Sequence, residues 1–242
     1  MTKFPEGRPT HCGIDHAALR WNLRQIKKTI GPRVKILSMV KANAYGHGAV
    51  KVARTLAKSG SDAFGVATVE EGIELRRARI SQPILVLAGV YLEQLDQFLR
   101  NKLTPVIHEV ATLRALDKAV LAHKKKLKIQ VEVDTGMGRI GLPTAEIDSW
   151  LPLLSQLKAL TLDGIFSHFS DAETANEKYS LDQLKKFHRV LERLHGEKIL
   201  PAASHMAPRP HAKTIIARAG TDAPGAEICD GVSISGIIVP AH

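Results

Sequence analysis

Val34-Lys35-Ile36-Leu37-Ser38-Met39-Val40 is an apolar run that suits a strand buried on both faces, and it passes directly into Lys41-Ala42-Asn43-Ala44-Tyr45-Gly46-His47-Gly48. The amphipathic stretch Ala49 to Lys58 follows, and then a second apolar run, Ala63 to Ala67. Strand, polar loop, helix, strand is the unit of a parallel sheet, because a parallel neighbour is reached only by a crossover. Working outward, the same alternation fills the chain. Upstream, His16 to Ile30 carries Ala17, Leu19, Leu23, Ile26 and Ile30 close to helical spacing, with Asp15 standing before it as an N-cap. Downstream, strands are expected at Pro83 to Ala88, Leu103 to Ile107, Lys128 to Val133, Leu162 to His168, Ala202 to Met206 and Val232 to Val239. Helices are expected between them at Val69 to Ala78, Leu92 to Leu99, Val110 to His123, Ala145 to Leu157, Leu181 to Gly196 and, more weakly, Lys213 to Ala219. Eight strands alternating with helices fit a closed α/β barrel, (β/α)8 TIM-type, better than an open sheet. No linker or low-complexity segment divides residues 1–242, so one domain is expected.

Composition agrees with an enzyme-sized globular chain. Of 242 residues, 44% are hydrophobic and 24% charged, which argues against wholesale disorder. No apolar run approaches the roughly 20 residues of a membrane helix, and the opening MTKFPEGRPT lacks a signal-peptide core. Cys12 and Cys229 are too few and too distant for a disulfide scaffold, so a cytoplasmic location is expected. The net charge of +10 raises the question of nucleic acid. Its densest run, Lys124 to Lys126 with Lys128, closes a helical pattern where cations suit the helix dipole, and only 5% of residues are aromatic. A solvated helix end and a pull on small anions are the better reading.

In a barrel of this kind chemistry gathers where strands run into the loops after them. The polar residues expected there are Lys41, His108, Asp134 with Arg139, His168 and His205. Lys41 at the end of an apolar strand is either a solvated amine or one whose desolvation frees it for a Schiff base. Asp134-Thr135-Gly136-Met137-Gly138-Arg139-Ile140-Gly141 reads as a tight functional loop in which Arg139 clamps a carboxylate or phenolate with its planar fork. Glu132 and Asp134 share a strand face, and at least one is expected to hold Arg139. His168 and His205, at neighbouring strand ends facing Lys41, suit stacking on a ring cofactor or bonding to its arginine. No His-Glu-x-x-His, Cys-x-x-Cys, Walker A, Gly-x-Gly-x-x-Gly or Gly-x-Ser-x-Gly pattern occurs, so no metal site is expected, and a metal-dependent barrel hydrolase ranks last.

Val40 to Gly48, VKANAYGHG, resembles the cofactor-lysine motif of alanine racemases, pyridoxal-phosphate enzymes of fold type III. Asp134 to Gly141, DTGMGRIG, is similar to that family's second signature. Gly65 to Arg76, Pro83 to Gly89 and Gly164 to Ala172 follow the family in order and spacing, and the likeness covers about Pro9 to Ala207. The resemblance implies that Lys41 holds pyridoxal phosphate as a Schiff base and serves as one of two acid–bases at the substrate Cα. It implies Tyr45 on the cofactor phosphate, Arg139 on the phenolic oxygen and the substrate carboxylate, His168 against the pyridine ring, and His205 in the supporting hydrogen-bond network. In some relatives the position of Glu132 is a lysine carrying a carbamate, and Glu132 is expected to supply that charge directly to Arg139. The implied reaction interconverts L-alanine and D-alanine for peptidoglycan precursors, in a homodimer.

Residues 208–242 are an atypical tail. Pro208-Arg209 stand where the family has Asn-Ser, and Asp230-Gly231-Val232-Ser233 where it has Asp-x-Val-Arg. Gly236 and Ile237 are expected to offer backbone N–H groups to the phosphate. The family's C-terminal β domain, which supplies an opposing tyrosine across the dimer, is expected to be lacking, by frameshift, truncation or divergence. None of Tyr45, Tyr91 and Tyr179 fills that role. Weak cofactor retention and slowed racemisation are the corresponding expectation. A pyridoxal-phosphate-binding protein that does not racemise and an inactive fragment are the alternatives.

Overall fold

The apolar runs between Val34 and Val133 become strands that are buried along most of their length. In the computed structural model, which describes residues 13–171 and 178–207 and the backbone of 237–238, the sheet begins with β1 (Lys35–Met39), β2 (Ala63–Val66), β3 (Ile84–Val86), β4 (Thr104–Ile107) and β5 (Leu127–Asp134). Past a short β6 (Leu142–Pro143), which pairs with β5 alone, it continues through β7 (Leu160–His168) and β8 (Ala203–Ala207). All pairings from β1 to β8 are parallel. The helices are α1 (His16–Ile30), α2 (Lys41–Tyr45), α3 (Ala49–Lys58), α4 (Val69–Arg77), α5 (Leu95–Asn101), α6 (Val110–Ala122), α7 (Ile147–Ser155) and α8 (Lys178–Gly196). This is the parallel sheet with covering helices of a (β/α)8 TIM-type barrel.

Alternation along each strand separates an outer core from the barrel interior. Ile36, Phe64, Ile84, Ile107, Ile129, Val131 and Ile165 join the large cluster with helix residues such as Leu23, Leu56, Leu75 and Leu116. Leu37, Ala63 and Leu85 form a separate small cluster with Ala203. Full burial of one such Leu or Ile contributes about 1.5–3 kcal/mol. Further along β5 the interior positions turn polar, with Gln130 and Glu132 both buried.

Asp15 caps α1 as expected, its Oδ1 accepting from the N–H groups of Ala17 at 2.7 Å and Ala18 at 3.2 Å. The lysine run after α6 is exposed, and Lys128 pairs with Asp163 at 2.7 Å. Two expectations need correction. The helix expected at Leu92 to Leu99 begins as a 3-10 turn, Leu92–Gln94, and becomes α5 only at Leu95. The expected parallel eighth strand is a short β9 (Ile237–Ile238) running antiparallel to β1, with Ile36 opposite Ile237. The free edge of β1 offers N–H and C=O groups that a strand of either direction satisfies. The rest of Val232 to Val239, and Lys213 to Ala219, lie outside the described residues.

Asp117 joins α6 to the start of β7. Its carboxylate accepts from the backbone N–H groups of Lys158, Ala159 and Leu160 at 2.8–3.1 Å. Partial burial alone would raise its pKa, but the N–H groups of Ala159, Lys158 and Leu160, with the Lys126 charge, outweigh that and hold it below the ordinary 3.8. Asp117→Ala is expected to cost about 1–2 kcal/mol at neutral pH, since solvent screens much of the charge. A lowered native pKa means that this stability is complete above the unfolded-state pKa and is lost as pH falls through the native one. Urea titrations of both chains from neutral pH down past 3.8 should therefore show the difference shrinking. A difference that grows on acidification would overturn the assignment.

Candidate functional site

Lys41 stands at the carboxyl end of β1, where Val40 N–H donates to the Gly65 carbonyl at 2.9 Å. The backbone then winds the wrong way for L-residues. Ala42, Asn43, Ala44 and Tyr45 have φ between 51° and 54°, so α2 is a left-handed turn. Such a conformation costs roughly 1–2 kcal/mol per non-glycine residue and persists only where surrounding bonds dictate it. Here Ala44 N–H donates to the Val40 carbonyl at 2.9 Å, and Gly46 N–H to Ala42 at 3.1 Å. Gly48 N–H reaches the Asn43 carbonyl, and the Asn43 side-chain oxygen accepts from Ala49 N–H at 2.8 Å, joining the turn to α3. Ala42 N–H donates outward to Glu71 Oε1 at 2.7 Å. Lys41 is half-buried, and Tyr45 is 43% exposed.

The glycine-rich loop leaves β5 and folds back on it. Asp134 Oδ1 accepts from Gly136 N–H at 2.8 Å and Gly138 N–H at 3.1 Å. The returning β6 pairs Leu142 with Val133 and Pro143 with Asp134, so Arg139 lies in the exposed excursion between them. The Tyr179 hydroxyl donates to the Gly136 carbonyl at 2.5 Å. Behind the loop, the fully buried Gln183 side chain donates to Thr135 Oγ1 at 3.2 Å and the His168 carbonyl at 3.1 Å, and it accepts from Ser170 N–H and Oγ. Thr135 in turn shares a hydrogen bond with Ser167. One helix, α8, thereby fixes the ends of both β5 and β7.

Below the mouth, sheet register aligns Glu132, Phe166 and His205. His205 is buried, its Nε2–H donating to Gln130 Oε1 at 3.0 Å and its ring stacked on Phe166 at a centroid distance of 4.6 Å. Burial lowers its pKa to about 3, which keeps the imidazole neutral. Its Nδ1 is buried without a partner among the described residues. Glu132, also buried, lies 3.1 Å from His108 Nε2, an ion-pair distance whose direction is too oblique for a good hydrogen bond. The expectation that Glu132 or Asp134 holds Arg139 is therefore corrected. Glu132 turns to His108 because neighbouring strand ends in register are closer than the loop excursion, and Asp134 is taken up by the glycine N–H groups.

The parallel sheet brings Lys41, the Arg139 loop and His168 to one end of the barrel, with His205 a layer deeper. Ile237 is not brought there. It lies beside Ile36, in the half of β1 farther from Lys41, and Gly236 falls outside the described residues. A surface depression of about 570 Å³ lined by His16, Asn43, His47 and Glu74 lies against α3 and does not include Lys41, Arg139 or His168. No group of three or more potential metal ligands occurs among the described residues. Glu71, Tyr179 and Gln183 were not singled out by sequence. Thr68-Val69-Glu70-Glu71 has the spacing of a capping box, a signal that could have drawn attention to Glu71.

Residues 14–225 match the family model of the alanine racemase N-terminal domain. Alanine racemase 2 of Caldanaerobacter subterraneus subsp. tengcongensis is 37% identical over 205 residues, covering 84% of this chain and 53% of that protein. Alanine racemase of Geobacter sulfurreducens is 38% identical, over 84% of this chain and 54% of its own. Among solved structures, alanine racemase of Clostridium difficile 630 in complex with cycloserine superposes with a TM-score of 0.76 at 32% identity, over 79% of this chain and 53% of that one. Histidine racemase of Leuconostoc mesenteroides subsp. sake superposes with a TM-score of 0.72 at 26% identity, over 79% and 51%. The chain spans about half the length of the relatives that it matches.

Proposed function

Because the chain belongs to the alanine racemase N-terminal domain family, we propose that residues 1–242 act as the single cofactor-binding barrel domain of a cytoplasmic amino-acid racemase. Its substrate would be alanine, its product a D-amino acid for peptidoglycan precursors. The observation that carries this reading is the placement of Lys41 at the carboxyl end of β1, directly before a strained left-handed turn, at the same barrel end as Arg139 and His168. Strain of this kind collects at functional positions.

The donor set fits pyridoxal phosphate: a primary amine for its aldehyde, a phenol for its phosphate, a guanidinium for its phenolic oxygen, and a flat imidazole for its ring. When bound, that cofactor supplies the electron sink that makes an amino-acid Cα–H acidic. The protein does the rest. Lys41 holds the cofactor and moves a proton at Cα on one face. Tyr45 would bind the phosphate, and Arg139, exposed on its loop, would bind the phenolic oxygen and the substrate carboxylate. His168 would lie against the ring, and the neutral His205, bonded to Gln130, would belong to the hydrogen-bond network beneath it without adding charge. Racemisation requires a second base on the opposite face. In the family that base is a tyrosine from the partner subunit of a homodimer, a role that none of Tyr45, Tyr91 and Tyr179 fills, so residues 1–242 by themselves would racemise slowly.

The purified chain, loaded with pyridoxal phosphate, should acquire a borohydride-reducible label at Lys41 and form D-alanine from L-alanine at a rate lowered by about 10²–10⁴-fold for want of the second base. A label without D-alanine would favour a cofactor-binding protein that does not racemise alanine. Turnover of another amino acid is the second reading, favoured by the likeness to a histidine racemase. No label at Lys41 would overturn the proposal.

A further inference from the structure

The turn that carries Lys41 is held from outside by a side chain of the next strand–helix unit. Glu71 is the third residue of α4, and its two carboxylate oxygens serve two different loops. Oε1 accepts from Ala42 N–H at 2.7 Å, in the loop after β1, and Oε2 accepts from Ala67 N–H at 2.7 Å, in the loop after β2. The same Oε2 lies 3.4 Å from Thr68 N–H, completing a capping box with the Thr68 hydroxyl. The platform is firm. Val69, Gly72 and Leu75 of α4 are buried, and Gly72 packs so closely on Leu103 that an added Cβ would come within 3.0 Å of it.

We propose that Glu71 is a positioning residue for Lys41: it pins Ala42 N–H, holds the left-handed turn in place, and so fixes the backbone from which the Lys41 amine reaches the cofactor. The proposal rests on the reading of Lys41 as the cofactor lysine. Ala42 is the first left-handed residue after Lys41, so its N–H is where the backbone changes hand. The bonds within the turn hold it together, but only Glu71 among the described residues fixes that N–H to the neighbouring unit. A carboxylate accepts on both oxygens, whereas an amide in its place has one acceptor and serves one loop.

The experiment compares the full chain with Glu71→Gln and Thr68→Ala. The second variant removes the helix cap and leaves both Glu71 links in place. Two quantities are read: hydrogen exchange of the peptide spanning Val40 to Gly48, and the share of pyridoxal-phosphate label reduced onto Lys41 rather than onto other lysines. Glu71→Gln should speed exchange about tenfold and lower the Lys41 share by a similar factor. Thr68→Ala should leave both within about twofold. Glu71→Gln behaving as the parent, or Thr68→Ala producing the same losses, would overturn the proposal; the latter result would mark a merely structural cap. A parent chain with no label at Lys41 removes the cofactor-lysine reading itself, and with it this role. A labelled parent with an unchanged variant removes only the role of Glu71. If Glu71→Gln does not fold, Glu71→Asp keeps the charge but falls short of Ala42 and is judged by the same two readings.

Discussion

Lys41→Ala should abolish cofactor attachment outright and lower any racemisation by about 10³-fold or more, because no other amine takes over both tasks assigned to Lys41. The fold should be indifferent. Lys41 is half-buried, its side chain has no hydrogen bond or ion pair among the described residues, and it precedes a turn held by backbone groups, Asn43 and Glu71. Its removal is expected to change stability by no more than about 0.5 kcal/mol. The measurement pairs peptide mapping after borohydride reduction with thermal unfolding of the cofactor-free chain. A variant that unfolds early would show Lys41 to be structural instead. Retention of a specific label on another residue would move the site elsewhere on the barrel.

The second large effect falls on the fold and the site together. Gly141 has φ +116°, and a Cβ there would stand 2.9 Å from Asp134 N, 3.0 Å from Val133 C and 3.1 Å from Glu132 O. All three are backbone atoms of β5, which has neighbours on both sides and cannot retreat. Gly141→Ala is therefore expected to cost about 2–4 kcal/mol and to push the Arg139 excursion off its return strand β6. Gly138→Ala is the matched control. Gly138 also has positive φ, +70°, but an added Cβ meets nothing within 4 Å among the described residues, so the backbone preference, about 1 kcal/mol, is the expected loss. Chemical denaturation of the two variants decides the matter. Equal costs would mean that the contact with β5 is not what closes the loop.

Much of this architecture was legible along the chain. Val34 to Val40, Ala63 to Ala67 and Lys128 to Val133 are apolar runs bounded by polar loops, and they became β1, β2 and β5 within a residue or two. Asp15 and the stripe of α1 were equally plain, because a cap and a helical repeat are local properties. The loop at Lys41 was legible as a loop but not as a left-handed one. Ala42, Ala44 and Tyr45 have no intrinsic leaning to that region, and what places them there includes a carboxylate some thirty residues further along.

The candidate site divides along the same line. Which residues stand at strand ends or in the loops just after them follows from counting along each strand, so Lys41, Arg139 and His168 could be named from the chain alone. Whom they face could not. Glu132 was expected on Arg139 and meets His108, since a parallel register slides neighbouring strands until their ends align. His205 was expected at the mouth and instead lies a layer down, stacked on Phe166 and bonded to Gln130. Periodicity, capping and apolar runs act over a few residues and settled the order of strands and helices. Register, burial and the choice of hydrogen-bond partner are set only when distant segments pack, and for this chain those decided how the barrel mouth is wired.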